Sequence, residues 1–396
     1  MEGSEPSPRS GGTAGPESSV RLLYAGRDAQ VSCADPAVLA WLVEFVGPAL
    51  ELSHELSAAP DHHVGFGIVP ELHAGLRQAL SDAPEQRVEG FTLDGSFSPN
   101  PAFESGGWLW FQDPRHGAFV GSTDEGRRVR VVAPSDDPYH RVTLMRVVRE
   151  LATCAAHLAG MLPLHAAGFV AGSGAVLVCG RKRAGKTSVL VHALQRGGRF
   201  LSNDRVWVSP DDLRARGMPT IVMLRNGTLE LFDGLCRDFE RQRFDRARTL
   251  AECAPGADRP EPQIGHGFDR PGISPAQLCR LLNAPMQGHA PVTKLLFPRI
   301  DPGVRGLALD RIAPAEAAEL LRESLLKPSH PTRLSEPFAR KGARAPVPPE
   351  LEDERCRCLA AAIPAWTCRL GRDAYEQDLI AALRSVEGAS ALRGAV

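Results

Sequence analysis

Gly180-Arg-Lys-Arg-Ala-Gly-Lys-Thr187 is the stretch on which the fold of this 396-residue chain turns. It fits G-x-x-x-x-G-K-[ST] at every fixed position, the pattern of a phosphate-binding loop in nucleotide-using proteins. Its flanks agree. Ala175-Val-Leu-Val-Cys179 is a short apolar run of buried-strand type, and Ser188-Val-Leu-Val-His-Ala-Leu-Gln195 has helical spacing. A strand that turns through a glycine loop into a helix aims backbone N–H groups and the positive end of the helix dipole at one point, where phosphate oxygens bind. Gly180 and Gly185 permit the tight turn, Lys186 reaches the β- and γ-phosphates, and the Thr187 hydroxyl ligates Mg²⁺. The candidate nucleotide-binding set is Gly180, Arg181, Lys182, Arg183, Ala184, Gly185, Lys186, Thr187 and Ser188.

Downstream, Arg196-Gly-Gly-Arg199 stops the helix, and Phe200 to Val208 reads as one strand. Asp204 falls inside that apolar run, seventeen residues beyond Thr187. An acid on a strand near the phosphates suits a second Mg²⁺ contact or a catalytic base, and a charge within an apolar run needs a partner. Upstream, Leu164-His-Ala-Ala-Gly-Phe-Val170 and the turn at Ala171-Gly-Ser-Gly174 form a β-hairpin with the strand that feeds the loop, placing His165 in its first strand.

The rest of the chain frames this core. Net charge is −1 and the pI is near 6.9, so charge gives no sign of a nucleic-acid partner. Leu151 to Gly180 lacks Asp, Glu, Lys and Arg for thirty residues, but its His, Pro and Gly residues break it into core elements rather than a membrane span. Nine scattered Cys residues and a start without a signal segment point to the cytoplasm; Cys356, Cys358 and Cys368 lack paired zinc-ligand spacing. Residues 1–18 read as disordered, 19–136 as a small α+β domain, and 137–396 as the phosphate-loop domain, which begins with a helix from about Tyr139 to Gly160. Residues 241–272 and 328–350 read as mobile loops; 217–219, 221–224 and 228–232 read as strands. In the first domain His62 and His63 are adjacent on a strand and so face opposite ways.

The combination of His165-Ala-Ala, the hairpin, Gly180-x4-Gly-Lys-Thr187, Arg196-Gly-Gly and Leu201-Ser-Asn-Asp-Arg-Val206 resembles the catalytic domain of HPr kinase/phosphorylase, most closely its relatives beside peptide-modification genes. The likeness covers about residues 138–235. It implies an α/β phosphate-loop kinase fold similar to that of phosphoenolpyruvate carboxykinase, with ATP and Mg²⁺ as cofactors. Lys186 and Thr187 take the phosphate and metal roles; Asn203 and Asp204 match a pair of acidic residues that act as base and metal partner, and His165 matches an active-site histidine. Here the first of the pair is Asn203, which accepts no proton.

The expected function is therefore transfer of the ATP γ-phosphoryl group to a Ser or Thr hydroxyl of a peptide or protein. Three alternatives stand beside it: a small-molecule kinase, a nucleotide-binding accessory protein that presents a precursor peptide (favoured by Asn203), and a regulator timed by hydrolysis. A homo-oligomer is compatible with the sequence, which does not name the acceptor.

Overall fold

The computed structural model describes residues 18–47, 49–53, 55–82, 87–91, 97–113, 117–123, 126–137, 139–224, 226–232, 234–235, 237, 273–326, 348–371 and 373–393. Residues 1–17, 241–272 and 328–347, expected to be disordered or mobile, lie outside them.

The protein is mixed α/β, built on two mixed nine-stranded sheets. The first is formed by β1 (Ser18–Tyr24), β2 (Arg27–Cys33), β3 (Glu51–Ser53), β4 (His62–Ile68), β5 (Arg87–Phe91), β6 (Phe97–Ser105), β7 (Trp108–Gln112), β8 (Phe119–Thr123) and β9 (Arg128–Ala133), in the order β3-β1-β2-β4-β9-β8-β7-β6-β5. Only the pairs β2–β4 and β4–β9 are parallel. Period-two alternation divides its residues between two faces. Val129 and Val131 turn to α1 (Pro36–Val46) and α3 (Tyr139–Leu158), whereas Val132 and Trp110 turn to α2 (Pro70–Asp82). Asp35 caps α1 by accepting from Ala37 N, and Pro36 opens it without wasting a donor. The two histidines of β4 part as strand geometry requires, His62 buried with Nδ1 2.8 Å from Gly126 O, and His63 exposed.

The second sheet carries the phosphate-binding loop. Its strands are β10 (Leu162–Leu164), β11 (Ala166–Ala171), β12 (Gly174–Cys179), β13 (Arg199–Ser202), β14 (Val206–Val208), β15 (Arg214–Gly217), β16 (His289–Ile300), β17 (Leu307–Arg311) and β18 (Ala365–Leu370). The long β16 is the spine: β12 runs parallel to it on one side, and on the other β15 pairs with its start and β18 with its end. One face is covered by α4 (Lys186–Gln195), α5 (Asn226–Leu229), α6 (Pro275–Leu281) and α9 (Leu379–Arg393). The other is covered by α7 (Pro314–Glu323) and α8 (Pro349–Ala362). No helix among the described residues is long and apolar enough to cross a membrane.

Several elements differ from the sequence reading. The run 200–208 is two strands, because residues 203–205 turn and β14 leaves β11 to pair with β10 and β15. Residues 214–217, not 217–219, are the strand; 221–224 make a single bridge, Val222 to Ile273; and 226–229 form a helical turn, α5. Pro349 and Glu350, assigned to a loop, open α8, where proline occupies the first turn and loses no hydrogen bond. The final helix, α9, starts at Leu379. Cys356 and Cys368 belong to cores on opposite faces of the sheet and Cys358 is exposed, so the three sulfurs share no site.

Helix α3 joins the two halves. It reads as amphipathic, with one buried face, yet nearly all of it is buried, since the first sheet takes its apolar face, Asp113 of the first half meets Thr143 and Arg146, and side chains of the second half pack into the same core. Trp207 and Met218 of the second half sit in the α3 core, and Tyr24 Oη donates to Gly217 O at 3.2 Å.

Candidate active site

Strand direction brings the sequence-predicted residues together. β11 is antiparallel to β12, with Ala166 opposite Cys179, so His165 before β11 lies beside Gly180 after β12. β13 is antiparallel to β11, with Ser202 opposite Gly168, so Asn203 and Asp204 emerge at that same edge. The parallel strands β16 and β18 end there too.

The loop has the backbone that its glycines were expected to allow. Gly180 has φ of 146° and Gly185 of 103°, both left-handed-side values that a Cβ disfavours. Arg183, between them, is held at φ 72° without that excuse. Gly185 precedes α4 without a side-chain cap, leaving the first N–H groups of the helix for an anion. Lys186 is buried at the first turn, where its Nζ donates to Gly180 O at 2.7 Å and Arg181 O at 3.1 Å. Burial pulls the ammonium below its ordinary pKa, while the charge of Asp204 opposes the shift. Lysine and carboxylate therefore share one field.

Asp204 holds the other side of the site. Its Oδ1 lies 3.2 Å from His165 Nδ1 and its Oδ2 lies 3.8 Å from Arg205 Nε, with 40% of its side-chain surface still open. Burial works to raise its pKa, but the hydrogen bond and charge of His165, then the charges of Arg205 and Lys186, outweigh it and hold the carboxyl below the usual value. The position is a turn residue at a strand end, not the strand interior expected. His165 is fixed from behind by its backbone N–H, which donates to Ser324 O at 2.7 Å.

Other predicted residues have different employment. Asn203 is buried with both ends of its amide engaged: Nδ2 donates to Ile221 O at 3.2 Å, and Thr220 Oγ1 donates to Oδ1 at 2.9 Å. Ser188 is buried, its Oγ 3.3 Å from Thr228 Oγ1. Thr187 is half-buried, and its hydroxyl makes no hydrogen bond with the described residues. Of the three cations in the loop, Arg181 donates to Glu323 through both Nε and Nη2, at 3.1 and 3.0 Å, while Lys182 and Arg183 are exposed.

Sequence reasoning missed Glu323, Thr220 and Arg205. Only Arg205 carried a local signal, its place beside Asp204; the others arrive through long-range packing. Among the described residues no cluster of three or more His, Cys, Asp or Glu side chains could cage a metal. No family model matches the chain, and no curated protein matches it.

Proposed function

We propose that the chain is an ATP- and Mg²⁺-dependent phosphotransferase of the HPr kinase type, acting on a hydroxyl of a peptide or protein. The observation that carries this reading is the meeting of Lys186 and the His165–Asp204 pair at one sheet edge.

The donor set fits a nucleotide-borne metal. Mg²⁺ of this kind takes one or two protein oxygens and the phosphates, and keeps its remaining waters. Thr187 Oγ1, free of other bonds with the described residues, and a carboxylate oxygen of Asp204 are the two that would hold it. Bound there, it would supply charge neutralisation at the phosphates.

The chain's own groups do the rest. Lys186 exchanges two carbonyl acceptors for phosphate oxygens, a trade of neutral for charge-assisted hydrogen bonds. The uncapped N–H groups of α4 orient those phosphates. Asp204, held ionised by its neighbours, accepts the hydrogen bond of the incoming hydroxyl and aligns the oxygen. A carboxylate this acidic is a weak base, so its contribution lies in orientation before phosphoryl transfer and in taking the proton late. His165 donates from Nδ1 to Asp204 Oδ1 and fixes which carboxylate oxygen faces the acceptor.

Asn203 faces Thr220 and Ile221, so its lack of basicity weighs little against catalysis, and the accessory reading loses its main support. The test is incubation with Mg-ATP and candidate acceptor peptides, read by mass spectrometry for the gain of one phosphoryl group. Tight Mg-ATP binding with no modified acceptor and no phosphate release would favour the accessory role instead.

A further inference from the structure

Behind Asp204 the second half meets the polar face of α3, and the charges there are poorly matched. Arg149 of α3 is 8% exposed, and its Nη2 comes no nearer than 3.6 Å to Glu150 Oε1. The Arg205 side chain is 23% exposed, and its Nε stays 3.8 Å from Asp204 Oδ2. Both separations exceed a hydrogen bond. The Nε atoms of both arginines are enclosed, with no hydrogen-bond partner among the described residues. Trp207 Nε1, two residues beyond Arg205 and packed in the α3 core, is a third enclosed donor in the same condition.

Buried donors are nearly always satisfied, and buried cations are paired or answered by a ligand. At this junction each arginine has one carboxylate at long ion-pair distance and an enclosed Nε without a hydrogen-bond partner among the described residues. Burial first, and then Arg205, push Arg149 down to about 9; Glu150 opposes and Arg146 adds to the effect. Arg146 has an anion of its own in Asp113, at 3.6 Å. Guanidinium pairs of this kind match the oxygens of a phosphate group, which can take parallel N–H bonds from both.

We propose that Arg149 and Arg205 form an oxyanion site beside Asp204 whose ligand is a phosphate group. Arg205, the more open of the two, is the entrance, and Arg149 is the buried backing charge. The site rests on this geometry and stands whether or not the chain transfers phosphoryl groups. Within the transferase reading it adds cations beside Asp204 that phosphoryl oxygens can meet. The phosphate can come from solution or be carried by the nucleotide.

The test titrates the full chain with inorganic phosphate, read by ³¹P NMR line broadening, in a Lys186→Ala background that removes the phosphate-loop contact. That background should still bind phosphate, and adding either Arg149→Met or Arg205→Met should weaken binding at least tenfold. Phosphate should raise the melting temperature of the Lys186→Ala protein but not of Arg149→Met in that background. ATP added in parallel to the parent and to Arg205→Met separates the sources: loss of the Arg205-dependent phosphate signal places the nucleotide's terminal phosphate in the site, and its retention assigns the site to the free ion. No binding in the Lys186→Ala background, or binding that both arginine variants leave unchanged, overturns the proposal. Collapse of the Arg149→Met fold together with unaltered binding by Arg205→Met overturns it as well, since Arg149 would then be a structural partner of Glu150.

Discussion

Asn203→Asp restores the adjacent acidic pair of the family that this chain resembles, and on sequence grounds alone it should keep or raise transfer. The packing argues that it first damages the fold. Ile221 O can only accept, which assigns the donating Nδ2 to that side of Asn203 and Oδ1 to the Thr220 hydroxyl. An aspartate keeps the Thr220 bond but places a carboxylate oxygen against the Ile221 carbonyl at about the present 3.2 Å. One buried acceptor is left without a donor, which costs about 1–3 kcal/mol, and more when a charge is involved. Asp204 next in sequence adds like-charge repulsion. A loss of about 2 kcal/mol or more at pH 8 follows, set by the unmade bond rather than by the volume change.

The sign of the pH dependence is fixed by the same contacts. Burial and the facing carbonyl raise the new carboxyl's pKa in the folded state above its unfolded value, so the folded state binds its proton more tightly. The variant's stability relative to the parent is then best at low pH, where the protonated carboxyl can donate to Ile221 O, and declines as pH rises through the folded pKa. Urea unfolding of parent and variant at pH 4.5 and pH 8 reads both quantities. Equal stability at the two pH values, or a variant less stable at pH 4.5 than at pH 8 relative to the parent, refutes the reasoning.

Lys186→Ala should weaken ATP binding by about tenfold to a hundredfold, the worth of one or two charge-assisted hydrogen bonds, while leaving the urea midpoint at or above that of the parent; calorimetry with Mg-ATP measures it. Asp204→Asn should lower transfer about a hundredfold or more with a modest effect on ATP affinity, read by single-turnover assay. Because Asp204 has a depressed folded pKa, the stability it contributes is present above the unfolded pKa and lost as pH falls through the folded one. The same variant should therefore flatten the acid limb of a urea-midpoint profile. Gly217→Ala places a Cβ 2.1 Å from Leu201 O, a backbone atom that cannot move cheaply, and should lower the melting temperature by several degrees in calorimetry.

What could be read from the sequence was whatever depends on near neighbours in the chain. The strand, loop and helix of the phosphate-binding motif are contiguous, and each is fixed by its own periodicity and glycines. The hairpin before it carries a Gly-Ser-Gly turn that announces the reversal. The break at 203–205 was hidden because Leu201, Val206 and Trp207 are apolar on both sides of it, and the change of partner from β11 to β10 and β15 is a tertiary event. Pro349 was misread for a similar reason, since a proline-rich stretch looks the same whether it continues as coil or opens a helix. The burial of the polar side of α3 was not legible in the sequence, because Arg146, Arg149 and Glu150 ordinarily face water. Asp113 of the first half meets Arg146 there, and the side chains of Trp207 and Met218 from the second half pack into the same core.

Two consecutive reversals explain why one edge of the sheet collects the chemistry. A parallel strand-helix-strand unit brings its phosphate loop to the carboxyl ends of its strands, and residues from amino ends appear at the opposite edge. In this chain β11 runs against β12, so an amino-terminal neighbour, His165, is delivered to the loop; β13 runs against β11, so a carboxyl-terminal neighbour, Asp204, returns to it. The short turn after Asp204 then sends β14 away toward α3, and Arg205 is the residue at the parting. Its Nε lies 3.8 Å from Asp204 Oδ2, and its charge helps to lower the pKa of Arg149 on α3.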